Sequence, residues 1–137
     1  MALSWIREDT PRWDAGKQAI VGGAGSGALE VGRFDAGDLV PGEWFRVEDE
    51  GKTVGYGWMD CTWGDAEVTL AVDPRRRRAG IGAFIVEHLG KEAAARGVNY
   101  LYNAVKPTHP ERVAVTRWLT EQGFEPSGDG LLKRQVS

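Results

Sequence analysis

The chain has 137 residues, 42% of them hydrophobic and 27% charged, and a formal net charge of −3. That composition fits one soluble globular domain over residues 1–137 with a core of its own. The acidic balance argues against a dedicated nucleic-acid binder, and the lone cysteine, Cys61, excludes an intrachain disulfide and favours a reducing compartment. The N-terminus, MALSWIRED, turns acidic without an apolar signal core. The longest uncharged stretch, 18–29, is short and rich in glycine, so no membrane span is expected and the protein is read as cytoplasmic.

Leu3 to Arg7 alternates weakly and predicts a first strand. Thr10-Pro11 has the form of a helix start, with threonine as cap and proline at the first position, and predicts a helix from Pro11 to about Val21. The glycine cluster Gly22 to Gly27 ends it, and a short second helix is expected over Ala28 to Phe34. This cluster is no dinucleotide fingerprint, because it follows a helix where that motif needs a strand.

Glu43 to Glu48 and Thr53 to Asp60 read as a hairpin around the turn Asp49-Glu50-Gly51-Lys52. Trp63-Gly64-Asp65 makes the next turn, and Ala66 to Val72 is a β-rich apolar run stopped by Asp73-Pro74. Ile81 to Arg96 is an amphipathic helix: Ile81, Phe84, Ile85, His88, Leu89 and Ala93 share one face, and Gly97 suits its C-terminal cap. Val98 to Val105 is a further apolar strand, so a βαβ unit with parallel pairing is expected. Thr108 and Glu111 have capping-box spacing for a last helix that ends at Gln122-Gly123. A closing hairpin of Phe124 to Pro126 and Leu131 to Val136 follows. The order β-α-(α)-β-β-β-α-β-α-β-β is α+β with a mixed sheet.

RRRRAGIG, Arg75 to Gly82, joins the end of a strand to the start of a helix. The first turn of a helix carries backbone N–H groups without internal partners at the positive end of the dipole, and phosphate binds there. Glycines at 80 and 82 let the backbone approach phosphate oxygens, and arginines beside them add charge-assisted contacts. The arginine run is then a local anion site rather than a nucleic-acid face.

Leu70-Ala71-Val72-Asp73-Pro74 followed by Arg77-Arg78-Ala79-Gly80-Ile81-Gly82 resembles the signature of the GNAT superfamily of acyl-CoA-dependent N-acyltransferases. The resemblance extends from Gly51 to the C-terminus, with Gly123-Phe124 about 40 residues beyond the loop. It implies a mixed central sheet flanked by helices, with a splayed βαβ acyl-CoA site between the strands at 66–72 and 98–105. It implies acetyl-CoA as co-substrate and an amine acceptor. The loop amides of Arg77, Arg78, Ala79, Gly80, Ile81 and Gly82 would hold the pyrophosphate, Leu70 and Val72 the pantetheine arm through the backbone, and Asn103 the pantetheine amides. Family members often pair through C-terminal strands or helices, which makes a homodimer an expected assembly.

An amine with a pKa near ~10 must lose a proton to attack a thioester, and a carboxylate working through water is the usual remedy. Glu67 is the first candidate, with a bulge leaving its register open by one residue; Asp60 is the second. The tetrahedral oxyanion needs a donor, which the resemblance places at the backbone N–H of Val72. The leaving thiolate needs a proton, and many family members place a tyrosine where this chain has Leu119. Tyr102 or Thr116 are the alternatives, as is no acid at all, since a thiol with a pKa near ~8.5 leaves readily.

His88 reads as a packed histidine, His109 as part of a helix start, and Cys61 as a buried neutral thiol. No spacing of His, Cys, Asp and Glu argues for a metal. Trp58 and Trp63 flank Asp60, with Asp65 and Glu67 nearby, a cluster suited to a cationic amine. The expected activity is N-acetyl transfer from acetyl-CoA to a primary amine in a ternary complex; the alternative is a non-catalytic acyl-CoA-binding domain of the same fold.

Overall fold

Tight left-handed turns organise the first half of the sheet. Strand β1 covers Leu3–Arg7, β2 Glu43–Asp49, β3 Lys52–Thr62 and β4 Asp65–Val72. Glu50 and Gly51 turn β2 into β3 with φ of 52° and 84°, and Trp63 and Gly64 turn β3 into β4 with φ of 53° and 85°. Two successive positive φ values match the twist of the flanking strands, which is why such turns close two-residue hairpins. The structure is a computed structural model describing residues 2–21, 35–76, 80–105 and 111–136.

The β-strands β5 (Tyr100–Asn103), β6 (Glu125–Pro126) and β7 (Leu132–Gln135) complete one seven-stranded sheet in the order β1-β2-β3-β4-β5-β7-β6. Neighbours are antiparallel except β4 and β5, which run parallel on either side of helix α2 (Ile81–Ala95), the crossover the sequence predicts. The fold is therefore the expected α+β mixed sheet with flanking helices. The β5 strand is shorter than the 98–105 run, because Val98 and Asn99 donate instead to Ala93 O and Gly64 O.

The first helix is shorter than expected. Helix α1 covers Ala15–Ile20, and Asp14 rather than Thr10 caps it, accepting from Lys17 N at 2.8 Å. Residues 11–13 pair instead with 38–40: Trp13 N donates to Asp38 O, Val40 N donates to Pro11 O, and Arg12 bridges Leu39. These distant partners outcompete a local start signal. The glycine cluster 22–27 and the helix expected over 28–34 lie outside the described residues, as does Thr108 of the capping box. The last helix, α3, covers Arg112–Glu121.

Alternation along the strands splits the core in two. Phe45, Val47, Met59, Ala66, Val68 and Leu101 face α2 and α3, whose Ile81, Ile85, Leu89 and Leu119 complete the larger cluster. On the other face Trp13, Ile20, Val21, Trp44, Tyr56 and Ala71 pack around α1. That smaller cluster holds a buried charge: Lys17 is 1% exposed, its Nζ donates to Glu8 Oε1 at 2.6 Å, and it lies over the rings of Trp44 and Tyr56. Burial, with Asp14 next, pushes the Tyr56 hydroxyl well above its ordinary pKa.

Candidate active site at the β4–β5 divergence

The parallel ladder between β4 and β5 has three registered pairs: Asp65 with Tyr100, Ala66 with Leu101, and Glu67 with Tyr102. β4 continues to Val72, while β5 stays with β7 through Asn103 opposite Leu132. A V-shaped notch opens between them. Its narrow end is held by Asn103, whose Nδ2 donates to Val68 O at 2.8 Å. Backbone groups alternate sides along a strand, so Leu70 and Val72 present their N–H and C=O on the same edge as Val68. Asp73 N, on the opposite parity, donates to Val54 O on β3.

The wide end of the notch meets the start of α2. Gly80 is the N-cap with φ of 78°, no side chain caps the helix, and no acidic residue sits in its first turn. Among the described residues, nothing lies within 4 Å of where a Cβ on Gly80 would sit. A helix start that its own N-cap side chain does not cap is the geometry that receives an anion. Arg77, Arg78 and Ala79 lie outside the described residues. Arg75 and Arg76 are committed locally, to Asp73 at 3.5 Å and Asp49 at 2.9 Å. The Asp73 carboxyl is held below the usual range, first by the Arg75 backbone N–H.

Gly82 has a role that the motif does not reveal. A Cβ there would lie 2.8 Å from Trp118 Cζ2, with Leu70 Cδ1 at 3.7 Å. The glycine lets α3 bring its tryptophan against the first turn of α2. Gly82→Ala is expected to overpack this contact and cost about 1–3 kcal/mol. Urea melts check it: the midpoint should fall, and adding Trp118→Leu should restore most of the loss.

Glu67 and Asp60 are brought together. They pair across β3 and β4, both exposed, on the face opposite α2. One row of the sheet runs Asp60, Glu67, Tyr102, Lys133, Glu125 across five strands. The Tyr102 hydroxyl is pushed up, first by burial and then by the Glu67, Asp60 and Asp65 carboxylates, with Lys133 opposing. The register between β3 and β4 is continuous from Gly55–Val72 to Thr62–Asp65, so β4 carries no bulge and Glu67 has one position. The irregularity in the sheet lies between β2 and β3, at Val47/Glu48.

The structure separates Glu67 from Val72. They sit five residues apart on one extended strand, about 16 Å at ~3.3 Å per residue. Of the exposed-edge amides, Leu70 is the nearer to Glu67, at about 10 Å. Leu119 is 3% exposed and part of the larger core. Thr116 accepts through its backbone carbonyl from Thr120 Oγ1.

The aromatic cluster expected around Asp60 is divided. Trp58 is half-buried and stacked on Trp44, with centroids 4.1 Å apart, while Trp63 is 98% exposed at the hairpin tip. The aromatic ring that shares the carboxylate row is Tyr102, a neighbour that only the parallel register supplies. Cys61 is exposed rather than buried, 3.9 Å from Glu43 Oε2. Desolvation and that carboxylate hold its thiol pKa up, which keeps it a poor nucleophile. His88 packs as expected, stacked on Phe84 with Nδ1 2.9 Å from Phe84 O. His109 lies outside the described residues. No helix among the described residues is long and apolar enough to cross a membrane.

Comparison with known proteins places this arrangement. A family profile described as an acetyltransferase (GNAT) domain matches residues 41–126. A search of curated proteins finds no match. Among solved structures, the ribosomal-protein-S18-alanine N-acetyltransferase from Escherichia coli is 26% identical, covering 69% of this chain and 68% of that one, with a TM-score of 0.52. A GNAT-family protein from Desulfovibrio desulfuricans is 14% identical and covers 99% of this chain and 100% of that one, with a TM-score of 0.73. The N-acetylglutamate synthase from Neisseria gonorrhoeae, complexed with coenzyme A and N-acetyl-glutamate, is 16% identical over 100% of this chain and 36% of that one, with a TM-score of 0.75. The profile match spans more than half of the chain, including the strand, loop and helix that build the notch, and the chain belongs to the GNAT acetyltransferase family.

Proposed function

We propose that the chain is a cytoplasmic N-acetyltransferase that moves an acetyl group from acetyl-CoA to a primary, cationic amine within a ternary complex. The observation that carries this reading is the open edge of β4 beside an uncapped helix start. An edge with unpaired N–H and C=O groups takes the amides of an extended ligand as a strand would, and the start of α2 takes a diphosphate. Arg77 and Arg78 adjoin that start in sequence and would add charge.

Acetyl-CoA, when bound, supplies the activated thioester. The chain's own groups do the rest. Glu67, supported by Asp60, accepts the amine proton through water, which frees the nitrogen lone pair for attack. The Leu70 N–H, or that of Val72 further along the edge, donates to the oxyanion. The new C–N bond forms as the C–S bond breaks; the acylated nitrogen gives up its second proton to water, and the departing thiolate takes a proton from Tyr102 or from water, with Tyr102 reprotonated from solvent. Tyr102 is protonated at neutral pH, as any tyrosine is, and its raised pKa makes it a weak acid, so water shares this role. The carboxylates of Asp60, Asp65 and Glu67 favour an acceptor with positive charge.

Calorimetric titration tests the reading. Acetyl-CoA should bind with micromolar affinity, and thiol release should follow addition of cationic amines. Binding without turnover across a panel of mono- and polyamines would leave a non-catalytic acyl-CoA-binding domain, the reading favoured by the buried leucine at position 119. No binding would remove both.

A further inference from the structure

We infer that Asn103 is a specificity-determining residue that closes the blind end of the notch and limits the acyl group to acetyl. The inference rests on the acyl-CoA reading above. In a parallel ladder, the rung after Glu67–Tyr102 would bring a backbone N–H of β5 to Val68 O. Here the side-chain amide of Asn103 makes that bond instead, at 2.8 Å. β5 is thereby released from β4 at this residue while it remains paired to β7. The side chain stands at the apex of the V.

The direction of entry follows from the chain order. The uncapped start of α2, where a diphosphate sits, follows Val72 at the wide end. A ligand anchored there runs along Val72 and Leu70 toward Val68, about 13 Å in all. Its acyl end points at Asn103. The wall is stiff, because Asn103 cannot swing aside without leaving the carbonyl of the buried Val68 unpaired. A methyl group meets the amide; each further methylene must displace it.

The test compares affinities of CoA, acetyl-CoA and butyryl-CoA by calorimetry, each normalised to the variant's own affinity for CoA. A misfitting methylene changes recognition by tenfold or more, so wild type should bind butyryl-CoA at least ~10-fold more weakly than acetyl-CoA. In Asn103→Ala the gap should shrink to ~3-fold or less. Asn103→Gln acts in the opposite direction: its extra methylene enters the acyl space and should weaken acetyl-CoA relative to CoA by ~5-fold or more. This second variant keeps the inference testable if the alanine variant is unstable. CoA bound by all three proteins with one unchanged acyl preference would overturn the inference and leave the acyl-CoA reading standing. Failure of the wild type to bind CoA would overturn both.

Discussion

Glu67→Gln is expected to lower thiol release from acetyl-CoA by on the order of 10²-fold at saturating substrate, with acetyl-CoA affinity within ~2-fold of wild type. The amide keeps the size of the carboxylate but cannot accept the amine's proton. Affinity is spared because Glu67 lies beyond the narrow end of the notch, on the face away from α2. Raising the pH toward the acceptor's pKa should recover part of the lost rate, since a larger fraction of amine is then already neutral. Stopped thiol-release assays across pH, alongside calorimetry, separate the two parameters. An unchanged rate would remove Glu67 as the base and leave Asp60, its cross-strand neighbour, as the carboxylate to replace.

Lys17→Met destabilises the fold by about 3–5 kcal/mol, because breaking a buried pair strands the remaining charge. Glu8, whose side chain is 10% exposed, loses its 2.6 Å partner. Arg46 Nη1 at 3.6 Å remains, on a side chain one-third exposed, and is a weaker substitute. Two ring contacts, to Trp44 at 5.3 Å and Tyr56 at 5.1 Å, vanish as well. Gly16 next to Lys17 packs against the Tyr56 hydroxyl, where a Cβ would clash, so α1 sits close on the sheet at this point. Urea unfolding measures the loss. A double variant, Lys17→Met with Glu8→Gln, should regain a good part of it, because the stranded charge is then gone. A single variant as stable as wild type would show that Lys17 is not what holds α1 on the sheet.

Much of the fold was legible from local chemistry. Gly51 and Gly64 mark their turns, because glycine takes a positive φ without steric cost, while Glu50 and Trp63 take one only because the hairpins impose it. The apolar face of Ile81 to Ala93 names α2, and β4, α2 and β5 in sequence name a parallel crossover. The strand–loop–helix motif from Leu70 to Gly82 likewise needs no long-range partner to be recognised. Periodicity and turn geometry are properties of neighbouring residues, so one sequence suffices.

Tertiary contacts decided the rest. Thr10-Pro11 has a helix signal, yet residues 11–13 take partners at 38–40, a competition between distant segments that no local window contains. Lys17 and Glu8 meet across a turn and a strand end, so their burial follows from how α1 docks and not from either residue's character. The site divides in the same way. Gly80 could be singled out from its motif and Glu67 as a carboxylate on the strand before it, but the distance from Glu67 to Val72, the tryptophan against Gly82 and the row through Tyr102 depend on register and helix packing. Asn103 carries this furthest: its position as a strand-end residue is visible in the chain, while its bond to Val68 exists only because β5 leaves β4 there to follow β7. Shifting a strand's register by one residue turns its side chains to the other face, and that choice belongs to the whole sheet.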